Sequence, residues 1–349
     1  MKPLICKGAS NFKLRMEDFK KIRIVFMGTP VFAVASLDAL VKAGCNISGV
    51  ITAPDKAAGR GLQLQQSAVK KYALEKGLTV LQPEKLKSPE FLDELRSLNA
   101  DLQVVVAFRM LPEVVWNMPP MGSVNLHGSL LPQYRGAAPI NWAVINGEKE
   151  TGVTTFKLKH EIDTGDILLQ ESFPIGENET AGEVHDKMKK IGAELMLKTV
   201  RGLAEGTLKE TPQSSIVSPQ ASGVSEESPN AGAPLKLHDS RLTTLKHAPK
   251  IFTETCRIDL SKTTAEVHDL IRGLSPFPGA FTMFNGKMLK IYRSEKQVVP
   301  AETTPGAFGS DKKTFLKFAC ADGYILVKEL QLEGKKKMNI EDFLRGYHF

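Results

Sequence analysis

Short apolar segments alternate with segments of helical periodicity through the first part of the chain. The predicted strands cover residues 22–28, 47–52, 79–81, 102–107 and 122–126. The predicted helices between them cover residues 30–43, 68–76 and 89–98. Because two parallel strands must be joined by a crossover, this alternation predicts right-handed βαβ units and a Rossmann-like, mainly parallel α/β sheet. Ligands of such sheets bind beyond the carboxyl ends of the strands.

The second part of the chain has a different pattern. Extended segments at 153–156 and 166–173 and a helix at 180–203 precede a stretch rich in proline and serine at 212–234, which is typical of a flexible linker. A helix at 265–274 and short strands at 281–284, 288–293, 315–320 and 324–332 then indicate a small, OB-like β-barrel. We therefore predict an extension, an N-terminal domain, a linker and a C-terminal domain at residues 1–20, 21–208, 209–246 and 247–349.

Most of the net charge of +7 lies beyond residue 246. A basic C-terminal domain favours a polyanionic partner, although a merely solvated basic surface would have the same charge. The hydrophobic content of 42% and charged content of 24% are typical of a soluble globular protein.

The cysteines and the N-terminal segment indicate the compartment. The four cysteines have no metal-type spacing, so we expect reduced thiols in the cytoplasm. No apolar run approaches the roughly 20 residues needed to cross a bilayer, and no membrane association is expected. Residues 1–15 are basic but lack the apolar core of a secretory signal. A short transit peptide is one alternative; we favour the other, that Met16 is the natural start and that the stretch before it is a disordered extension.

Polar residues that suit acid–base chemistry lie at a predicted strand end. Asn125 and His127 are two residues apart, so their side chains project to the same side of the strand. A carboxamide can donate to a developing oxyanion, and an imidazole can hold or move a proton near neutral pH. Asp163 begins an Asp-Thr-Gly turn, where it either bonds backbone amides or orients His127.

Four segments together resemble the methionyl-tRNA formyltransferase family. They are Phe26-Met-Gly-Thr-Pro-Val-Phe-Ala33, Ala53-Pro-Asp-Lys-Ala-Ala-Gly-Arg-Gly61, Asn125-Leu-His-Gly-Ser-Leu-Leu-Pro132 with Arg135-Gly-Ala-Ala-Pro139, and Asp163-Thr-Gly-Asp166. The resemblance extends from about residue 20 to the C-terminus, apart from an insertion near 213–242. Folate-dependent formyltransferases in general share the Asn-x-His and Asp residues, whereas the Gly59-Arg-Gly61 loop is more particular to the tRNA enzymes.

The resemblance implies a reaction and its participants. The formyl group of 10-formyltetrahydrofolate would pass to the amino group of methionyl initiator tRNA, for translation initiation, without a metal or a covalent intermediate. Asn125 and His127 would stabilise the oxyanion, and Asp163 would orient His127 and help to remove the amine proton. The protein would act as a monomer that meets the acceptor arm of the tRNA.

The resemblance also assigns binding residues. Formyl-folate would lie along Phe108, Arg109, Leu111, Ser129, Leu130, Leu131 and Pro132. The tRNA would contact Arg60, with Lys56 and Lys70 as further basic groups. The chain departs from the family after Gly61, where Leu62-Gln-Leu-Gln-Gln66 stands in place of the usual basic residues.

Other functions remain as alternatives. A formyltransferase acting on glycinamide ribonucleotide or an amino sugar nucleotide would use the same trio but not the Arg60 loop, and a formyl-folate hydrolase would use water. A non-catalytic RNA-binding protein would use only the basic C-terminal domain. A dinucleotide oxidoreductase is disfavoured, because Gly28-Thr-Pro-Val-Phe-Ala33 is not a GxGxxG motif.

Overall fold

A computed structural model describes residues 19–58, 63–217, 245–300 and 302–347. Its larger sheet has seven strands in the order β10-β9-β7-β6-β1-β2-β5. The strands of the first domain are β1 (Arg23–Gly28), β2 (Asn46–Ile51), β3 (Lys56–Ala58), β4 (Gln63–Gln65), β5 (Val80–Leu81), β6 (Leu102–Val106), β7 (Ser123–His127), β8 (Arg135–Gly136), β9 (Glu150–Lys157) and β10 (Ile167–Pro174).

The sheet is parallel from β5 to β7, and β9 and β10 extend it in antiparallel fashion. The predicted α/β architecture is confirmed. β1 is the central strand, and its apolar side chains are buried on both faces: Ile24 and Phe26 pack in one core, and Val25 and Met27 pack in another. A strand covered on both sides must be apolar at successive positions, which is why this segment shows no alternation.

Helices cover both faces of the sheet. They are α1 (Val31–Lys42), α2 (Ala68–Glu75), α3 (Pro89–Ser97), α4 (Glu113–Trp116), α5 (Pro139–Ile145), α6 (Ala181–Ala204) and α7 (Ser214–Val217). The longest helix, α6, begins at a capping box in which the Thr180 hydroxyl accepts from the Glu183 amide and the Glu183 carboxylate accepts from the Thr180 amide. It packs against α1.

The C-terminal part forms a second, antiparallel sheet. Its strands are β11 (His247–Ala248), which pairs with β8 of the first domain, and β12 (Ala280–Phe284), β13 (Lys287–Gln297), β14 (Phe308–Ser310), β15 (Leu316–Cys320), β16 (Gly323–Leu332) and β17 (Met338–Asn339). Its helices are α8 (Thr264–Gly273) and α9 (Ile340–Gly346), and a 3-10 turn spans Glu254–Cys256. The strand order β12-β13-β16-β15-β14 surrounds a separate apolar core, which confirms the predicted small β domain.

The two domains meet where α5 packs against α8. Gly273 lies so close to α5 that an added Cβ would be 2.9 Å from the Ile145 amide nitrogen. Beside it, the Arg272 side chain is 3% exposed and donates to Asp269 at 2.6 Å and to the Glu179 carbonyl at 3.1 Å. This buried guanidinium joins a helix of the second domain to the backbone of the first.

Several expectations fall partly or wholly outside the described residues. The predicted extension at residues 1–20, which contains Met16, is described only at residues 19 and 20. Arg60 lies outside the described residues. The predicted linker at 209–246 is described only at 209–217 and 245–246, and there it contacts the first domain: Thr211 pairs with Ile167, and Gln213 is buried. Flexibility was inferred from composition, which does not register such individual contacts. No helix among the described residues is long and apolar enough to span a membrane.

The buried Arg272 yields a stability prediction. Arg272→Met should lower the free energy of unfolding by about 3 kcal/mol, because it leaves Asp269 and the carbonyl oxygens of Gly176 and Glu179 without their cation. Arg345 forms an ion pair with Asp342 at the same helical spacing, but its side chain is 77% exposed. Arg345→Met should therefore change stability by about 0.5 kcal/mol or less in the same urea titration. Equal losses in both variants would contradict this account of the domain interface.

Candidate active site

The carboxyl ends of the parallel strands place the candidate residues at one edge of the sheet. The chain leaves β1 toward β2 and β5 on one side and returns to β6 and β7 on the other, so the strand order reverses beside β1. A crevice forms at such a reversal, and ligands bind there. Asn125 and His127 lie at this end of β7, opposite Val105 of β6 and Thr154 of β9 respectively.

Asn125 and His127 lie on the same face of β7, as their spacing predicts. The Asn125 side chain is half-buried, and its carboxamide has no hydrogen-bond partner within the described part of the chain. A half-buried amide at a strand end with both donors unused is suited to receive a substrate oxygen. His127 is 7% exposed and packs edge-on against the Phe156 ring, with 6.5 Å between the ring centroids.

A main-chain oxygen determines which nitrogen of His127 can react. The Nε2 atom lies 2.9 Å from the carbonyl oxygen of Tyr134. Since a carbonyl only accepts hydrogen bonds, Nε2 carries a hydrogen in either protonation state. The proton that His127 gains or loses is therefore on Nδ1, which faces Asp163.

Asp163 lies opposite this reactive nitrogen. Its Oδ2 atom is 3.7 Å from His127 Nδ1 and accepts a hydrogen bond from the Gly136 amide at 3.0 Å. A separation of 3.7 Å is longer than a direct hydrogen bond, so both atoms can also interact with a third, substrate atom. The Asp163 side chain is 11% exposed, which limits competition from water. The structure thus brings together His127 and Asp163, which are distant in sequence.

Left-handed backbone conformations occur around this edge of the sheet. Ala107, Tyr134 and Asp163 have φ values of 47°, 59° and 56°. Ala107 directly follows β6, and Tyr134 and Asp163 lie beside His127 at the end of β7. Such conformations cost of order 1–3 kcal/mol in non-glycine residues. The surrounding hydrogen bonds must offset that cost: the Tyr134 amide donates to the Lys246 carbonyl at 2.6 Å, and the Asp163 carboxylate is held by Gly136.

The predicted folate-binding residues divide into two groups. Phe108, Arg109 and Leu130 are at least partly exposed at the same edge of the sheet as Asn125. Leu111, Ser129, Leu131 and Pro132 are buried. Leu131 packs in a small core with Phe156, and the Ser129 hydroxyl donates to the Gln133 carbonyl at 2.6 Å. These buried side chains thus support the turn at residues 129–132 from the protein interior.

Arg109 links two loops of this edge. Its guanidinium donates to the carbonyl of Glu84 at 2.9 Å and to that of Pro83. Partial burial lowers the pKa of Arg109, although the group stays charged at neutral pH because arginine starts from so high a value. The Arg109 side chain is thus engaged with main-chain oxygens rather than directed at the reacting atoms.

The predicted tRNA-binding residues are also placed differently from one another. Lys56 is exposed on β3. Lys70 forms a partly buried ion pair with Asp55 at 2.6 Å, and its hydrogen bond lowers the pKa of that carboxyl, with a second contribution from Gln82. An ammonium held in this way fixes the start of the loop and is poorly placed to bind phosphate.

Sequence reasoning missed the residues that support the pair. They are the Tyr134 carbonyl, the Gly136 amide and the buried side chain of Gln213, which donates to the Asp163 carbonyl at 2.8 Å. Backbone groups leave no signal in side-chain chemistry, and Gln213 stands in a proline- and serine-rich stretch. No group of three or more His, Cys, Asp or Glu side chains that could hold a metal occurs among the described residues.

A cavity of about 300 Å³ lies elsewhere. It is lined by Arg23, Asp101 and Pro119, among others, at the amino-terminal edge of β1 and β6. That edge is opposite to the carboxyl ends that carry Asn125 and His127, so this cavity is separate from the candidate active site.

The turn that carries Asp163 depends on a glycine. A Cβ at Gly165 would lie 1.6 Å from the Lys157 carbonyl oxygen. Gly165→Ala should therefore displace the turn and lower the melting temperature by about 4 °C or more, since backbone cannot move aside cheaply. At Gly176 the nearest atoms to an added Cβ are 3.5 Å away, so Gly176→Ala should melt near the parental temperature in the same calorimetric scan. A parental melting temperature for Gly165→Ala would contradict the close approach.

Comparison with known proteins agrees with this site. The family model described as "Formyl transferase" matches residues 20–200, and that described as "Formyl transferase, C-terminal domain" matches residues 250–348. The methionyl-tRNA formyltransferase of Bacteroides fragilis is 51% identical over 340 residues, which cover 96% of this chain and 97% of the relative. The methionyl-tRNA formyltransferase of Phocaeicola vulgatus is 53% identical over 334 residues, or 94% and 96% of the two chains.

A solved structure shares the fold at lower identity. The N-formyltransferase from Helicobacter canadensis, in complex with folinic acid and dTDP-3-aminofucose, superposes with a TM-score of 0.59. It is 19% identical, and the match covers 91% of this chain and all of the other. That likeness concerns the fold alone, whereas identities above half over nearly the whole length show a closer relationship: the chain belongs to the methionyl-tRNA formyltransferase family.

Proposed function

We propose that this protein transfers the formyl group of 10-formyltetrahydrofolate to the amino group of methionyl initiator tRNA, giving N-formylmethionyl-tRNA for translation initiation. The observation that carries the proposal is the approach of His127 Nδ1 to within 3.7 Å of the Asp163 carboxylate, with Asn125 on the same face of β7 as His127, at the carboxyl ends of the parallel strands. The activity named for relatives of about 50% identity supports the same reaction.

The three side chains have complementary tasks in this reaction. The neutral amine of the methionyl ester attacks the formyl carbon, and negative charge develops on the formyl oxygen. Asn125 donates to that oxygen through its carboxamide, and His127 donates through Nδ1–H. Preorganised donors of this kind contribute about 2.7–4 kcal/mol each to the stability of the transition state.

Asp163 handles the proton of the attacking amine. As the new carbon–nitrogen bond forms, the amine becomes acidic, and Asp163 can accept its proton directly or through a water molecule. The bond between the formyl carbon and N10 of the folate then breaks, and the proton is delivered to N10. The Asp163 carboxylate, 3.7 Å from His127 Nδ1, also orients the imidazole.

The acceptor is the part of the proposal that needs a separate test. A small-amine acceptor would use the same three residues, and the Helicobacter canadensis structure shares the fold with an amino sugar nucleotide bound. The basic second domain and the loop around Arg60 favour tRNA, because lysine and arginine contacts with phosphate give affinity that is independent of base sequence.

We infer that the chain works as a monomer, and also that it works in the reducing cytoplasm. Cys45, Cys256 and Cys320 are buried free thiols, which supports the second inference. Burial raises the pKa of the Cys45 thiol to about 11 and that of Cys320 to about 11, so these thiols resist ionisation and oxidation.

An acceptor assay tests the reaction. The purified protein, supplied with 10-formyltetrahydrofolate, should formylate methionyl initiator tRNA, and the rate with glycinamide ribonucleotide or an amino sugar nucleotide should be negligible. Formylation can be followed by acid-gel mobility of the charged tRNA. Transfer to a small amine without transfer to the tRNA would refute the tRNA assignment and leave formyl transfer standing.

Substitution of the oxyanion donors tests the mechanism. Asn125→Ala should lower kcat about 100- to 1000-fold, and His127→Ala should lower it at least as much. Asn117→Ala is the matched control, because Asn117 is exposed near the opposite end of β7 and caps only the short helix α4. Near-parental turnover of either active-site variant would remove that residue from the mechanism.

Arg60 provides a test of the tRNA contact. Arg60→Ala should raise KM for tRNA and reduce the slope of log KM against log salt by about one, while KM for the folate stays unchanged. Arg96 is an exposed arginine of the same domain, paired with Asp93, and Arg96→Ala should leave both constants unchanged. Equal effects of Arg60→Ala on tRNA and folate would argue for a structural role instead.

A further inference from the structure

The buried side-chain amide of Gln213 lies beside the Asn125, His127 and Asp163 trio, and all of its hydrogen-bonding groups are paired there. Gln213 is 3% exposed and lies just before α7, two residues after Thr211, which pairs with Ile167 of β10. Its Nε2 donates to the carbonyls of Asp163 and Gly165, both at 2.8 Å. Its Oε1 accepts from Nε and Nη2 of Arg135 at 3.0 and 2.5 Å. Two donors and two lone pairs are thus all satisfied.

The groups joined by this amide belong to the two segments that hold the reacting pair. Asp163 and Gly165 form the turn that presents the carboxylate. Arg135 lies in the loop after β7, between Tyr134, whose carbonyl binds His127, and Gly136, whose amide binds Asp163. Gln213 therefore binds the main-chain carbonyls of this turn, while the Gly136 amide binds the Asp163 carboxylate.

On its inner side the turn is held by the close approach of Gly165 to the Lys157 carbonyl and by the ion pair of Asp166 with Lys159 at 2.7 Å. On its outer side little packs against it. Glu161 and Ile162 are exposed, and the Ile162 side chain is 60% exposed, so apolar packing on this side is small. Asp163 itself has a φ of 56°, which requires compensation from its surroundings. The hydrogen bonds from Gln213 to the main-chain oxygens on either side of Thr164 contribute to that compensation, together with the Gly136 amide.

We propose that Gln213 is a positioning residue for formyl transfer: its amide fixes the Asp163 turn against the loop that orients His127. This inference rests on the proposed function, since it assigns a role in the same reaction. A displacement of the carboxylate by about 1 Å would be enough to slow the chemical step up to about 100-fold without touching the folate or the tRNA.

Two substitutions of similar size distinguish the donor group of the Gln213 amide from its acceptor oxygen. Gln213→Met removes both the donors and the acceptor, whereas Gln213→Glu keeps an acceptor for Arg135 but cannot donate to the two carbonyls. Both variants should reduce the single-turnover rate of formyl transfer about 10- to 100-fold. Active sites are counted by the stoichiometry of tetrahydrofolate binding, so a loss of folded protein is not mistaken for a slower step.

Ser215→Ala is the matched control from the same segment. Ser215 is exposed, and its hydroxyl donates only to the Pro212 carbonyl at 2.6 Å. This variant should keep the parental single-turnover rate. Both Gln213 variants should also bind tetrahydrofolate with a Kd within about threefold of the parental value, because among the described residues the Gln213 amide bonds to Arg135 and to the Asp163 turn, not to the predicted folate-binding residues.

A double-mutant cycle distinguishes positioning from a general structural role. If Gln213 acts through Asp163, then adding Gln213→Met to Asp163→Asn should slow the reaction less than twofold further, because the carboxylate that Gln213 positions is already gone. Fully additive losses would overturn the proposal, as would parental single-turnover rates in Gln213→Met or in Gln213→Glu.

The identity of the formyl acceptor does not affect the test of Gln213. The parental chain reports on the proposed function: it either formylates methionyl-tRNA or it does not. The Gln213 variants are compared with the parental chain on whichever amine that chain formylates, so an error in the acceptor and an error in the role of Gln213 produce different results.

Discussion

The hydrogen bond between His127 Nε2 and the Tyr134 carbonyl is the contact on which the rest of the site depends. It fixes the hydrogen on one ring nitrogen and leaves Nδ1 as the nitrogen that faces Asp163. It also joins the end of β7 to the loop that follows it, so the position of that loop determines the orientation of the imidazole. Any force that holds residues 133–138 therefore acts on the reaction.

That loop is held from both sides by segments distant in sequence. The Lys246 carbonyl accepts from the Tyr134 amide, and β11 pairs with β8, so the chain entering the second domain lies along this loop. On the other side, Gln213 bonds to Arg135. The Tyr134 side chain is anchored as well: its hydroxyl donates to Glu148, and burial raises the pKa of that phenol. The described residues on either side of 218–244 thus contact the loop that orients His127.

The domain interface extends this arrangement. Arg293 and Lys296 of β13 form ion pairs with Glu183 at 2.6 Å and Glu177 at 2.9 Å, close to the start of α6. These side chains are partly exposed, so each pair contributes little on its own. The buried Arg272 and the close packing of α8 on α5 contribute more, and together they set where the basic surface of the second domain lies relative to Asn125 and His127.

Much of this protein follows from its sequence alone. The alternation of apolar strands and amphipathic helices determined the parallel sheet, because periodicity reflects which faces must be buried, and element bounds differ from prediction by only a few residues in most cases. The two-residue spacing determined that Asn125 and His127 share a face. The approach of Asp163 to within 3.7 Å of His127, the internal pairing of Lys70, and the support from Tyr134, Gly136 and Gln213 were decided only by the tertiary structure. Sequence patterns report local geometry and burial, whereas these contacts join residues far apart in the chain through backbone groups that every residue possesses.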